Sequence, residues 1–267
     1  MSDIAINVLL AGVVGTIAGL ILQAIGRVAF SRYKGDDTRE LSAVVGFRVS
    51  AIFGIAVGLI FASTAGHLME AKKDVLEEAR LMATLYVLAD TPPTPTNAAA
   101  VRENLRQYIE QSAREMDDPD APEKTAPATN RLLLKICRQM AVDDQDTSEA
   151  RWTKSEFQRS CSKLIDIRGK KRIGALETHV AAPFWIFFAI SFGFLAILFG
   201  VFDSRPINIV FASLFYFAAG VTAMLIFAAS NPYREPGRIS SAPLTRLVDL
   251  IEASDRSQSS SAPSESP

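Results

Sequence analysis

Long apolar runs set in two pairs, with a charged and helix-patterned stretch between the pairs, constrain this chain more than anything else in it. They fall at residues 4–26, 41–66, 183–202 and 206–229. Each holds about 20 apolar residues, enough for a helix rising 1.5 Å per residue to cross a hydrocarbon core about 30 Å thick. No run alternates apolar and polar positions as lipid-facing strands must. Inside lipid only a helix satisfies its own amides, so the expected class is an all-α membrane protein whose medium is the bilayer.

The first pair turns through Arg27 to Glu40 and the second within Asp203-Ser204-Arg205-Pro206, where Pro206 suits the first position of a helix. The expected architecture is therefore four transmembrane helices as two hairpins, with an antiparallel helical bundle inserted between helices 2 and 3. The divisions are 1–66 for the first hairpin, 67–182 for the soluble bundle, 183–229 for the second hairpin and 230–267 for a tail. Beyond about Ser254 the tail is rich in Ser and Pro, and composition predicts disorder there.

After Gly66 the apolar pattern narrows to Leu68, Ala71, Val75, Ala79, Met82 and Tyr86, which extends the second helix out of the membrane as a stalk. Pro92, Pro93 and Pro95 end it. Thr96 or Asn97 caps a next helix with Val101, Leu105, Tyr108, Ile109, Ser112 and Met116 on one side. Asp117 to Pro127 reads as a loop, and Leu132 to Val142 as a short helix. From near Ser148 a further helix turns Trp152, Phe157, Cys161, Leu164 and Ile165 inward and runs toward Pro183.

Counting cations gives Arg27, Arg32, Lys34, Arg39 and Arg205 on the hairpin side. The bundle side has Lys72, Lys73, Arg168, Lys170, Lys171, Arg172, Arg234, Arg238 and Arg246. The larger count places the bundle and both termini in the cytoplasm of a bacterial inner membrane, although the charges flanking the first helix argue the reverse. The N-terminus begins with Ser2 and Asp3 where a cleavable leader needs basic residues, so the first run reads as a retained helix. A net charge of −1 offers no basic field for nucleic acid.

Several side chains invite a functional reading. In the second span Gly46, Ser50, Gly54, Gly58, Ala62 and Gly66 recur every four residues and draw one ridge of small side chains. Such a ridge packs closely on another helix, and Ala11, Gly15 and Gly19 of the first span present a matching surface. Alternatively it faces the axis of a symmetric oligomer, with Phe53 or Phe61 as a hydrophobic constriction. Arg48, about two turns inside the span, either snorkels to the interface or attracts anions to a pore mouth. Arg168, Lys170, Lys171 and Arg172 form a basic cluster that suits anionic lipid.

Other chemistry is poorly supplied. Glu70, Asp74, Glu77 and Glu78 read as a solvated helix face. His67 and His179, with Glu70 and Glu177 beside them, are weak as a metal site because Glu177 and His179 do not share a helix face. Cys137 and Cys161 lack a CxxC partner and read as two buried free thiols. No phosphate loop, nucleophile elbow, HExxH or dinucleotide fingerprint is present, so no enzyme, cofactor or metal is expected.

The order of landmarks along the chain resembles the bestrophin-like family of bacterial membrane proteins. It runs from Val45-Gly46-Phe47 through Val75, Glu78-Ala79, Leu85-Tyr86 and Leu88-Ala89 to Leu105-Arg106 and Tyr108. Asp166, Arg168 and Arg172 follow, then Pro183, Trp185, Asn231-Pro232-Tyr233 and Pro243-Leu244. Ser230 stands where the family usually has an acid, and Met116-Asp117 replaces a common Trp-Pro. The resemblance implies kinship with bestrophin chloride channels, pentamers with a pore lined by the second membrane helix. An oligomeric channel with a preference for anions is the leading expectation. The other is a membrane-anchored interaction or sensor protein whose bundle binds a protein partner and which transports nothing.

Overall fold

The computed structural model describes residues 2–32, 35–90, 98–117, 126–139, 148–176, 180–202, 205–233 and 237–260. These form α1 (Ser2–Ala29), α2 (Asp36–Asp90), α3 (Ala98–Asp117), α4 (Ala126–Gln139), α5 (Ser148–Leu176), α6 (Ala182–Phe199), α7 (Pro206–Ser230) and α8 (Ala242–Ser260). No strand occurs among the described residues. α1, α2, α6 and α7 are long and apolar enough to cross a membrane. Prolines open α6 and α7, where the missing amide hydrogen costs nothing. The prolines at 92, 93 and 95 and the caps at Thr96 and Asn97 lie outside the described residues.

The chain divides into two compact units, one of residues 1–69 and 178–238, the other of 70–177 and 239–267. In the first, α1 is seated against α7 and α6 by residues without side chains. A Cβ on Gly15 would stand 2.9 Å from the Tyr216 carbonyl oxygen and 3.0 Å from the Gly220 Cα. One on Gly220 would land on the Ala11 carbonyl, and one on Gly26 on the Ile197 carbonyl. With lipid all round, this close backbone approach is what holds the helices together. The small surface of α1 at Ala11, Gly15 and Gly19 therefore serves α7, not the ridge of α2 as one reading of the spacing has it. Gly220→Ala is expected to lower the thermal midpoint and the yield of folded protein in detergent, because the obstacle is backbone and cannot swing aside. An unchanged midpoint would contradict this packing.

The second unit is an all-helical bundle with one main core. Met82 and Leu85 of α2, Val101, Leu105, Tyr108 and Ile109 of α3, Ile136 of α4, Phe157 and Leu164 of α5 and Leu244 of α8 are fully or almost fully buried in it. The face expected on α3 is thus the buried one. On α5 the inward set is Phe157, Cys161 and Leu164, whereas Trp152 is 61% exposed and Ile165 42%. Those two fall off the stripe at 157, 161 and 164 that a period of 3.6 keeps on one side. Helix α4 begins at Ala126, inside the stretch expected as loop. Helix α8 continues past Ser254 to Ser260 and packs Leu244 and Ile251 into the core, although the composition of this segment suggests only a tail. Cys137 and Cys161 are joined in a disulfide with Cα atoms 5.9 Å apart, correcting the reading of free thiols.

Candidate functional site

Helix α2 turns one side to the protein and leaves the other open. In the membrane-spanning part, Phe53, Val57 and Thr64 are buried. Phe53 packs against Phe188 and Phe187 of α6, ring centroids 5.2 and 6.5 Å away, and Ile226 of α7 joins the same cluster. Phe53 is thereby spent inside the protomer and does not project as a constriction; Phe61, the other aromatic considered for that part, is 40% exposed.

The open side begins with Arg48 and continues through Ile52, Ile55, Leu59, Ala62, Gly66 and Met69. Steps of three and four keep these residues on one side of the helix. Gly54, Gly58 and Gly66 have nothing within 4 Å of where a Cβ would stand, and at Gly46 only the tip of Leu198 comes as near as 3.9 Å. Ser50 is satisfied within its own helix, donating from Oγ to the Phe47 carbonyl at 2.9 Å. From Gly54 to Gly66 the ridge is thus a bare strip along the flank of this open side in a single copy of the chain.

A second cluster lies in the bundle and takes in Glu78, expected on a solvated face, and Arg168 and Lys171, expected to face lipid. Glu78 is wholly buried and accepts hydrogen bonds at Oε1 from Tyr108 Oη at 3.0 Å and Ser112 Oγ at 2.9 Å. Its Oε2 meets the Lys171 ammonium. Arg168, also buried, donates from Nη2 to Glu115, from Nε to Asn130 Oδ1 at 2.9 Å and from Nη1 to Ser112 Oγ at 3.2 Å. Its guanidinium carbon lies 5.5 Å from the centroid of the Tyr108 ring. Two carboxylates and two cations so compensate one another among α2, α3, α4 and α5.

This corrects two expectations. Glu78 leaves the solvated acidic face because it occupies the buried series Ala71, Val75, Glu78, Met82, Leu85 and Ala89, whose three-and-four spacing was visible in the sequence. Arg168 and Lys171 leave the lipid-facing basic cluster because their heads are consumed by Glu115 and Glu78. Lys170 stays outside, 3.8 Å from Asp166. The side chain of Arg172, and Glu177 and His179, lie outside the described residues. Among the described residues no group of three or more His, Cys, Asp or Glu stands together as a metal site would need.

Burial alone would push the Glu78 carboxyl up, but the Lys171 and Arg168 charges with the bonds from Lys171 and Ser112 outweigh it and hold Glu78 below its ordinary value. Burial and then the Glu78 charge push the Tyr108 phenol well above its usual range, so it remains a donor. A depressed carboxyl contributes stability that is fully present above its unfolded value near 4.5 and is lost as pH falls through the lower folded value. Thermal unfolding of the bundle between pH 8 and pH 2 should therefore stay level down to about pH 4.5 and fall steeply below it. Equal stability at pH 5 and pH 2 would contradict the compensated cluster.

The model of the bestrophin-like domain matches residues 8–244, a span that takes in every landmark from Val45 to Leu244. The chain belongs to the bestrophin-like family. Crystal structures agree in fold. An isoleucine-to-threonine variant of a bacterial bestrophin homolog from Klebsiella pneumoniae superposes with a TM-score of 0.68 at 14% identity, over 91% of this chain and 98% of that one. An aspartate-to-alanine variant of the Klebsiella homolog gives 0.64 at 14% identity, over 93% and 98%. A serine-to-alanine variant of a membrane protein gives 0.67 at 15%, over 94% and 99%. Identities this low speak for the fold alone. No curated protein matches the chain. This bestrophin-like chain is thus an integral membrane protein, with four helices fit to span and a helical bundle.

Proposed function

We propose that copies of this chain assemble into a ring in the membrane, with the open side of α2 turned to the axis, and that the ring conducts ions with a preference for anions. The observation that carries the reading is the bare strip at Gly54, Gly58 and Gly66, where a single copy supplies no neighbour. Lipid needs no such strip, whereas small side chains around an axis leave a bore and bring a hydrophobic constriction within reach of Phe61. Family membership supports the same arrangement, given the kinship with chloride channels.

In this reading Arg48, exposed on α2, stands near one mouth and raises the local concentration of anions. The other three membrane helices of each copy surround these α2 segments, and the bundle with both termini faces the cytoplasm of an inner membrane. The test is flux in liposomes loaded with chloride or with potassium. Chloride should leave faster from liposomes containing the protein than from empty ones, and Arg48→Glu should shift the preference toward cations by about tenfold or less. An assembled particle that passes neither ion would return the chain to the class of membrane-anchored interaction proteins.

A further inference from the structure

Two cross-links tie α4 to α5, and their register is the informative part. The covalent one joins Cys137 to Cys161. The other joins Asn130 to Arg168 through the 2.9 Å hydrogen bond. Moving about two turns back along α4, from 137 to 130, corresponds to moving about two turns forward along α5, from 161 to 168. The helices therefore run in opposite directions with no slip between the two links. Arg168 is the cation that faces Glu115 and Ser112, while Thr129, next to Asn130, also donates to Glu115.

We propose that the cysteine pair is a redox clamp. Oxidised, it pins α4 onto α5 so that Asn130 and Thr129 close over the Arg168–Glu115 pair; reduced, it lets α4 loosen and opens that pair to water. The chemistry is thiol–disulfide exchange. A small disulfide such as oxidised glutathione takes two electrons from the thiols, which lose two protons, and one S–S bond forms as the other breaks. A dithiol reductant reverses it by supplying two electrons and two protons and becoming a disulfide itself. Cys137 is only partly buried while Cys161 is 4% exposed, so exchange begins at the Cys137 sulfur. In a reducing compartment such a pair cycles; in an oxidising one it stays shut. The inference does not depend on ion conduction, and its test reads none.

The full chain in detergent is held in oxidised glutathione or in dithiothreitol, then alkylated and weighed, with amide exchange followed in parallel. Oxidised protein should take up no adduct and reduced protein two. Reduction should cut protection over residues 126–139 by about 100-fold, with a smaller loss around 165–171, both recovered on reoxidation. Cys137→Ser, with Cys161 as its one remaining thiol, should show the reduced exchange pattern in either buffer and take up at most one adduct. Two adducts on protein equilibrated with oxidised glutathione would overturn the bridge. Loosening of 126–139 with no change around 165–171 would overturn the coupling to Arg168, and equal exchange in both buffers would overturn the clamp.

Discussion

Glu78→Ala is expected to destabilise the bundle by about 3–5 kcal/mol, the largest effect of any single change outside the membrane. Lys171 and Arg168 would keep their buried heads with Glu115 as the remaining carboxylate in the cluster, and Tyr108 and Ser112 would lose a shared acceptor. Desolvation explains the size: a buried ion pair adds little net stability over an apolar packing of the same shape, yet removing one partner strands the other. That logic separates a charge effect from a cavity. Glu78→Leu combined with Lys171→Met should recover much of the loss, since it removes the stranded ammonium and leaves Arg168 with Glu115. Thermal unfolding of the three proteins checks it, with a fall of about 10 °C or more for the single variant. A double variant as unstable as Glu78→Ala would mean that the two groups do not compensate each other.

Gly58→Leu is expected to lower flux by at least about tenfold while leaving the fold and the size of the particle intact. A Cβ at Gly58 would have no atom of its own copy within 4 Å, so the protomer has room for the change. Around an axis, every copy would place one such side chain at the same depth. Gly15→Leu is the informative contrast, because its Cβ would press on the backbone of α7 and the expected result is loss of folded protein. Gly54→Leu should behave like Gly58→Leu. Flux and assembly untouched by both would remove α2 from the conduction path and from the interface between copies.

How far the sequence went depended on which physical effect ruled each residue. The spans were legible because a bilayer demands a fixed length of apolar helix and this chain meets that demand at four places. The face of α3 was legible because Val101, Leu105, Tyr108 and Ser112 keep helical spacing. Glu78 reads as solvated by its chemistry although its place in the series from Ala71 to Ala89 is buried, and Arg168 and Lys171 read as exposed because their partners lie on other helices. Pairing across such distances leaves no local periodicity, and the same holds for Cys137 with Cys161. Spacing also leaves the partner of the α1 glycines open, since small residues on α1 suit any helix that brings a bare backbone, and Gly220 of α7 belongs to no repeat of small residues like that on α2. Helix α8 was hidden by its polar end, although Leu244 and Ile251 are seven apart and stay on one side of a helix.

The central claim is that α2 from several copies surrounds a water-filled axis. Imaging the particle in a lipid nanodisc tests it most directly, since one reconstruction reports copy number, symmetry and the helix nearest the centre. The expected result is a closed ring with Gly54, Gly58 and Gly66 facing inward. A single copy surrounded by lipid, or a ring with α2 on its outer rim, would contradict the account.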